Sequence, residues 1–209
     1  MKIGIIGAGK IGATAAHLFI KAGHTVAISN SRGPETLTAL IKQLGDNAIA
    51  LSVNAAAAFG DIVLLAVPWV KPDALPSPEL VDNKIVIDAM NPYQPEGGLV
   101  DLGNSTSSEE TAKRLPGAII VKAFNTKNFK HLATGGRTDL PLQERKALFI
   151  AGDSLAAKAK IARLIEEIGF AAIDTGSLHD GGKLQQPESV IYNKDITCTE
   201  AHEVLEKQG

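Results

Sequence analysis

Gly7-Ala8-Gly9-Lys10-Ile11-Gly12 carries the glycine spacing of a turn that holds a diphosphate against backbone amides. Each glycine answers a separate need: Gly7 the tight turn, Gly9 the approach of the backbone to a pyrophosphate, Gly12 the close packing of a helix on a strand. About 20 residues beyond such a turn, NAD enzymes place a carboxylate on the adenosine ribose. This chain reads Ser29-Asn30-Ser31-Arg32-Gly33-Pro34 there instead, offering hydroxyl and amide donors and one guanidinium. Those groups suit a 2′-phosphate, so the spacing points to NADP(H). A charge-assisted contact from Arg32 is worth about 1.5–3 kcal/mol, on the order of 10- to 150-fold in favour of the phosphorylated cofactor. The plainer alternatives are glycines that serve packing alone and an Arg32 that is only a solvated charge. The first would leave the free amides of a helix N-terminus without the anion they are suited to hold.

Further candidates follow from where strands end, because ligands of open parallel sheets bind outside the carboxyl ends of the strands. The segments are Val67-Pro68-Trp69, Asp88-Ala89-Met90-Asn91-Pro92 and Lys122-Ala123-Phe124-Asn125-Thr126. Pro68 has no N–H to donate, which frees neighbouring carbonyls to face a nicotinamide or its ribose. Asn91 and Asn125 can donate and accept, as a carboxamide-bearing ring requires, or can tie loops together locally. Trp69, Tyr93, Phe124 and Tyr192 fall in or beside these loops and form a candidate aromatic pocket for a flat substrate. No catalytic acid, base or nucleophile is assigned, and no metal site, because His17, His24, His131, His179 and His202 lack ligand spacing with one another or with Cys198. His131 and His179 are candidates for substrate contact only. Hydride transfer needs no such reagent: it needs two planes held with the reacting carbons about 3–3.5 Å apart.

The elements that must position these residues read as an α/β fold. An apolar strand, Ile3–Ile6, runs into the glycine turn, and Ile11, Ala15, Leu18, Phe19 and Ala22 continue at helical spacing to Gly23. A second strand covers 24–28, and a second helix follows Pro34 as far as Gly45. Ser52 caps a short helix over 54–59, and unalternating apolar runs at 61–68, 85–87 and 118–121 read as buried strands, with a polar helix over 107–115. Residues 147–151 read as a strand, 155–168 as an amphipathic helix and 170–173 as a last strand. Thr197 and Glu200 form a capping box for a terminal helix through Lys207. The pattern predicts a doubly wound, mostly parallel, Rossmann-like sheet over 1–176 with a small C-terminal extension over 177–209. The irregular stretches 68–84, 90–106, 125–141 and 176–196 are candidate binding loops.

The chain of 209 residues is long enough for a sizeable core. Its net charge of -2, without a basic run or an apolar stretch of membrane-spanning length, argues against nucleic-acid and bilayer partners. One cysteine, Cys198, rules out an internal disulfide and reads as a small hydrophobe. With a core strand at its start in place of a signal peptide, the chain is expected to be cytoplasmic.

In Ile5–Gly12, Ser29–Arg32, Ala66–Trp69, Asp88–Pro92, Val121–Thr126, Ala151-Gly152-Asp153 and Asp174–Leu178 the chain resembles the NADPH-dependent coenzyme F-420 reductases, or deazaflavin-dependent NADP oxidoreductases. The later motifs are also similar to the cytosolic NADPH-binding domain of six-transmembrane ferric reductases. The resemblance implies an NADP-binding fold, a nicotinamide near the Pro68, Asn91 and Asn125 loops, a small-molecule hydride acceptor and, in some members, a homodimer. From Gly181 to Tyr192 this chain is polar where the deazaflavin enzymes have an apolar closing helix. The acceptor is therefore open among coenzyme F-420, a flavin, a quinone and a ferric chelate. Hydroxyacid and imino-acid dehydrogenases share the turn, but too few residues remain here for their large helical C-terminal domain. A non-catalytic NADPH sensor would use the same turn.

Overall fold

The computed structural model describes residues 1–207. Eight strands form one sheet: β1 (Lys2–Ile6), β2 (Thr25–Ser29), β3 (Ala48–Ala50), β4 (Ile62–Leu65), β5 (Ile85–Asp88), β6 (Ile119–Ala123), β7 (Ala147–Ala151) and β8 (Ala171–Asp174). Their order in the sheet is β3-β2-β1-β4-β5-β6-β7-β8. The chain builds outward from β1 in both directions, so the strand order reverses at the β1/β4 boundary, where this topology opens a crevice. All neighbours are parallel except β6 and β7, which run antiparallel.

The helices are α1 (Lys10–Lys21), α2 (Thr38–Leu44), α3 (Val53–Phe59), α4 (Ser107–Arg114), α5 (Phe129–Thr134), α6 (Leu155–Glu167), α7 (Asp180–Leu184) and α8 (Cys198–Glu206). Period-two alternation sends Ile3, Ile5, Ile62 and Leu64 into the layer under α1 and α6, and Ile6, Val63 and Leu65 into the opposite layer with Ala56, Ala57 and Trp69. A third, smaller cluster joins Ala147, Phe149 and Ile173 to Ile191 and Ala201 of the C-terminal segment. The last two residues of the segment expected over 177–209 lie outside the described residues.

Local chemistry sets most boundaries. The Ser52 hydroxyl accepts from the Ala55 amide at 3.3 Å. The Thr197 amide donates to Glu200 at 2.7 Å while the Glu200 amide donates back to the Thr197 hydroxyl at 3.3 Å, the expected capping box. Three differences from the sequence expectation are physical. The stretch after Pro34 opens as a 3-10 turn before α2 begins. Strand β3 and helices α5 and α7 lie in stretches whose patterns are too short to show a period. Strand β7 reverses because α5 packs against α1 instead of crossing the sheet, so the chain returns along β6 without the crossover a parallel neighbour needs.

Candidate functional site

A cleft of about 990 Å³ opens at the carboxyl ends of β1, β2 and β4, lined by residues 6–9, 30–33, 52–53, 66–68 and 70–74. Its floor is the glycine turn. Gly7 sits at φ 110°, where an L side chain is strained, and its amide donates to the Ser29 carbonyl at 3.0 Å. A Cβ on Gly7 would run into the Ala66 carbonyl oxygen, and one on Gly12 into the Gly7 carbonyl oxygen. Gly9 is different: a Cβ there would meet nothing within 4 Å. No protein packing requires glycine at that position, so the space belongs to the cleft.

Gly9 is also the N-cap of α1, with no side-chain cap and no acidic residue in the first turn. The free amides and the positive end of the helix therefore face the cleft unneutralised. Ala8 lines the cleft with Gly7 and Gly9, whereas the side chains of Lys10 and Ile11 take no part in the lining, their backbone amides opening α1 beside it. The Lys10 ammonium rests 4.9 Å over the Phe129 ring, Ile11 packs on the core, and Gly12 is buried.

Asn30, Ser31 and Arg32 form the wall above β2. The Asn30 side chain shapes that loop, accepting from the Arg32 amide at 3.0 Å and donating to the Thr36 hydroxyl at 2.8 Å. Ser29 does not contribute its hydroxyl to the wall, since it is buried and donates to the Ile5 carbonyl at 3.1 Å. The opposite wall brings Lys71, which sequence reasoning missed, onto the same cleft as Arg32. The signal available was its place in a loop directly after a strand end, with prolines on both sides of the cation at 68 and 72.

At the far end Val67 and Pro68 line the cleft, but Trp69 turns away. Its indole is buried, donates to the Ser107 carbonyl at 2.9 Å, and lies under the Arg114 guanidinium at 4.1 Å. Ala123 is wholly buried and Asn91 and Asn125 do not line this cleft. The two asparagines instead tie the loops after β5 and β6 together, because Asn91 Nδ2 donates to the Asn125 carbonyl and to the Tyr192 hydroxyl, and Asn125 Nδ2 donates to Gln185. Of the four aromatics only Tyr93 and Tyr192 meet, hydroxyl to hydroxyl at 3.0 Å, while Phe124 packs edge-on against Phe19 in the core. Burial and the Tyr93 contact push the Tyr192 phenol above its ordinary pKa, so it stays protonated. Beneath this segment Asn125 Oδ1, Thr126 Oγ1 and Gln185 Oε1 are buried without a hydrogen-bond partner among the described residues.

The remaining histidine candidates have structural partners: His179 Nδ1 lies 3.0 Å from both Glu109 oxygens, and His131 Nδ1 lies 3.9 Å from Asp195. Among the described residues no cluster of three His, Cys, Asp or Glu could hold a metal ion, and no helix is long and apolar enough to cross a membrane.

The sequence profile of the family described as NADP oxidoreductase, coenzyme F420-dependent, matches residues 2–92, the part of the chain that builds the cleft. Among solved structures the chain is similar to a hypothetical protein from Sinorhizobium meliloti, with 32% identity over 94% of this chain and 95% of that one, at a TM-score of 0.81. It is also similar to a protein assigned as an F420-dependent NADP reductase from Arthrobacter sp., with 23% identity over 99% and 91% of the two chains and a TM-score of 0.74. An imine reductase from Myxococcus stipitatus in complex with NADP+ shares the fold at 18% identity and a TM-score of 0.62, and this chain spans 61% of its length. None of the curated proteins matches the sequence.

Proposed function

This chain belongs to the coenzyme F420-dependent NADP oxidoreductase family, and on that premise we propose that it seats NADPH in the cleft over β1, β2 and β4 and passes a hydride to a planar acceptor of the deazaflavin or flavin kind. The observation that carries the reading is Gly9, an N-cap glycine with open cleft where a side chain would stand. Only a ligand brought up to the backbone needs that space.

The chain's own residues then divide the work. The amides at the start of α1 hold the diphosphate. Arg32 on one wall and Lys71 on the other neutralise the 2′-phosphate, with Asn30 holding the Arg32 backbone in place. Val67 and Pro68 line the way to the nicotinamide end, where the Pro68 carbonyl accepts from the Lys71 amide and so ties the second cationic residue to this loop. Bound NADPH supplies the hydride. The protein supplies orientation and exclusion of water, so no acid or base residue is assigned to the transfer.

The lone tryptophan gives a direct test. Titration with NADPH should quench Trp69 emission by energy transfer to the nicotinamide, and loss of NADPH absorbance should follow addition of a deazaflavin or a flavin. Binding without turnover against deazaflavin, flavin, quinone and ferric acceptors would favour the sensor reading. Absence of binding would end both.

A further inference from the structure

Lys122 is the one lysine whose whole residue has no solvent exposure among the buried polar groups of the core. It is the next-to-last residue of β6, directly opposite Asp88, the last residue of β5, which is also fully buried. An ammonium has three N–H donors, and all three are used: Nζ donates to the Met90 carbonyl, to the Ser107 hydroxyl and to the Ser108 hydroxyl, each at 3.1 Å. Burial draws the Lys122 pKa below that of an ordinary lysine, and the charge of Asp88 works against that shift.

Asp88 completes the arrangement from the other side. One of its oxygens accepts from the Met90 amide at 2.9 Å and the other from the Ser108 hydroxyl at 2.7 Å. The N–H and the C=O of Met90 are thus both held, by a carboxylate and an ammonium that share Ser108. Met90 leads into Asn91, which knits the loops after β5 and β6. The same hub reaches the loop after β4, because the Ser107 carbonyl accepts the Trp69 indole N–H and Trp69 follows Pro68. Three loops at the nicotinamide end meet on two buried, oppositely charged residues bridged by Ser108 and the Met90 peptide. Desolvating such a pair is costly, and apolar side chains of like size would serve stability as well or better. Its retention needs a reason other than stability.

We propose that Asp88 and Lys122 are positioning residues for the hydride transfer, clamping the Met90 peptide and the Ser107–Trp69 contact so that the loops after β4, β5 and β6 present a single rigid seat to the nicotinamide ring. The assignment rests on the NADPH reading above and adds to it the part of the protein that fixes the ring, as distinct from the phosphates. Neither residue touches the cofactor. They act through Met90, Asn91 and Trp69.

The test compares Lys122→Met, Asp88→Leu and the double variant. Each single substitution strands a buried charge and lowers the melting temperature, whereas the double variant recovers it. If the pair positions the ring, the recovered double variant still binds NADPH through the phosphate end with unchanged affinity and unchanged KM. Its kcat falls on the order of 10- to 100-fold, the scale of a small misplacement of reacting groups. The enhanced emission of bound NADPH, which reports a held nicotinamide and needs no acceptor, falls with it. Return of both rate and emission to wild-type values along with stability would overturn the proposal. Wild-type protein that binds NADPH but turns over no acceptor would count against the catalytic reading alone, and the emission comparison would still decide this one.

Discussion

Asn91 and Asn125 exchange hydrogen bonds: Asn91 Nδ2 donates to the Asn125 backbone carbonyl at 3.0 Å, and Asn125 Nδ2 donates to Asn91 Oδ1 at 3.1 Å. The pair joins the ends of two adjacent strands, and Asn125 extends it to the Gln185 carbonyl at 2.7 Å.

Asn125→Ala should therefore destabilise the fold by about 1–3 kcal/mol, the cost of leaving a buried acceptor unpaired. Urea unfolding would measure it. Asn125→Asp removes the same donor and should also destabilise, so a neutral outcome for both would refute the role as a loop tie.

Gly9 and Gly12 should separate binding from folding. In Gly9→Ala the added methyl meets no protein atom, so the melting temperature should hold while NADPH affinity falls sharply. In Gly12→Ala it meets the Gly7 carbonyl, so stability itself should fall. Loss of stability in Gly9→Ala, or retention of NADPH binding by it, would contradict the assignment of that space to the ligand.

Arg32→Ala and Lys71→Ala should each weaken NADPH by on the order of 10- to 150-fold if each makes a charge-assisted phosphate contact. NADH binding should change little. Equal losses for the two cofactors would move that residue off the 2′-phosphate.

Asp195 should make the C-terminal segment acid-sensitive. Burial alone would raise its pKa, but the Lys127 hydrogen bond and the charges of Lys127, Lys146 and His131 outweigh that and hold it below the usual 3.8. A depressed carboxyl stabilises the fold above its unfolded pKa, and that contribution is lost as pH falls through the folded value, below 3.8. The stability difference between wild type and Asp195→Asn should thus be constant near neutrality and shrink in that acid range. Partial exposure of the carboxylate and added salt both reduce its size. A gap that widens on acidification would refute the ion-pair account.

Much of the cleft was legible from residues alone because its rules are local. Three glycines, an apolar strand before them and a helix after them define the turn within a dozen positions, and Asn30, Ser31 and Arg32 follow one strand later. The capping box at Thr197 and Glu200 is likewise a matter of neighbours. Trp69, Asn91, Ala123 and Asn125 stand at or just past strand ends, which fixes their backbone positions and leaves to packing the direction each side chain takes.

Sequence by itself thus determined the alternation of strands and helices, the glycine turn and the basic residue past the second strand, since each depends on spacings that chain geometry enforces at short range. Tertiary structure alone decided the reversal of β7, the arrival of Lys71 opposite Arg32, and the meeting of Asp88, Lys122 and Ser107 beneath three loops. Those relationships join residues many positions apart. They exist only once burial of both sheet faces has fixed which loops lie side by side, and a buried polar group then takes whichever partner is within reach.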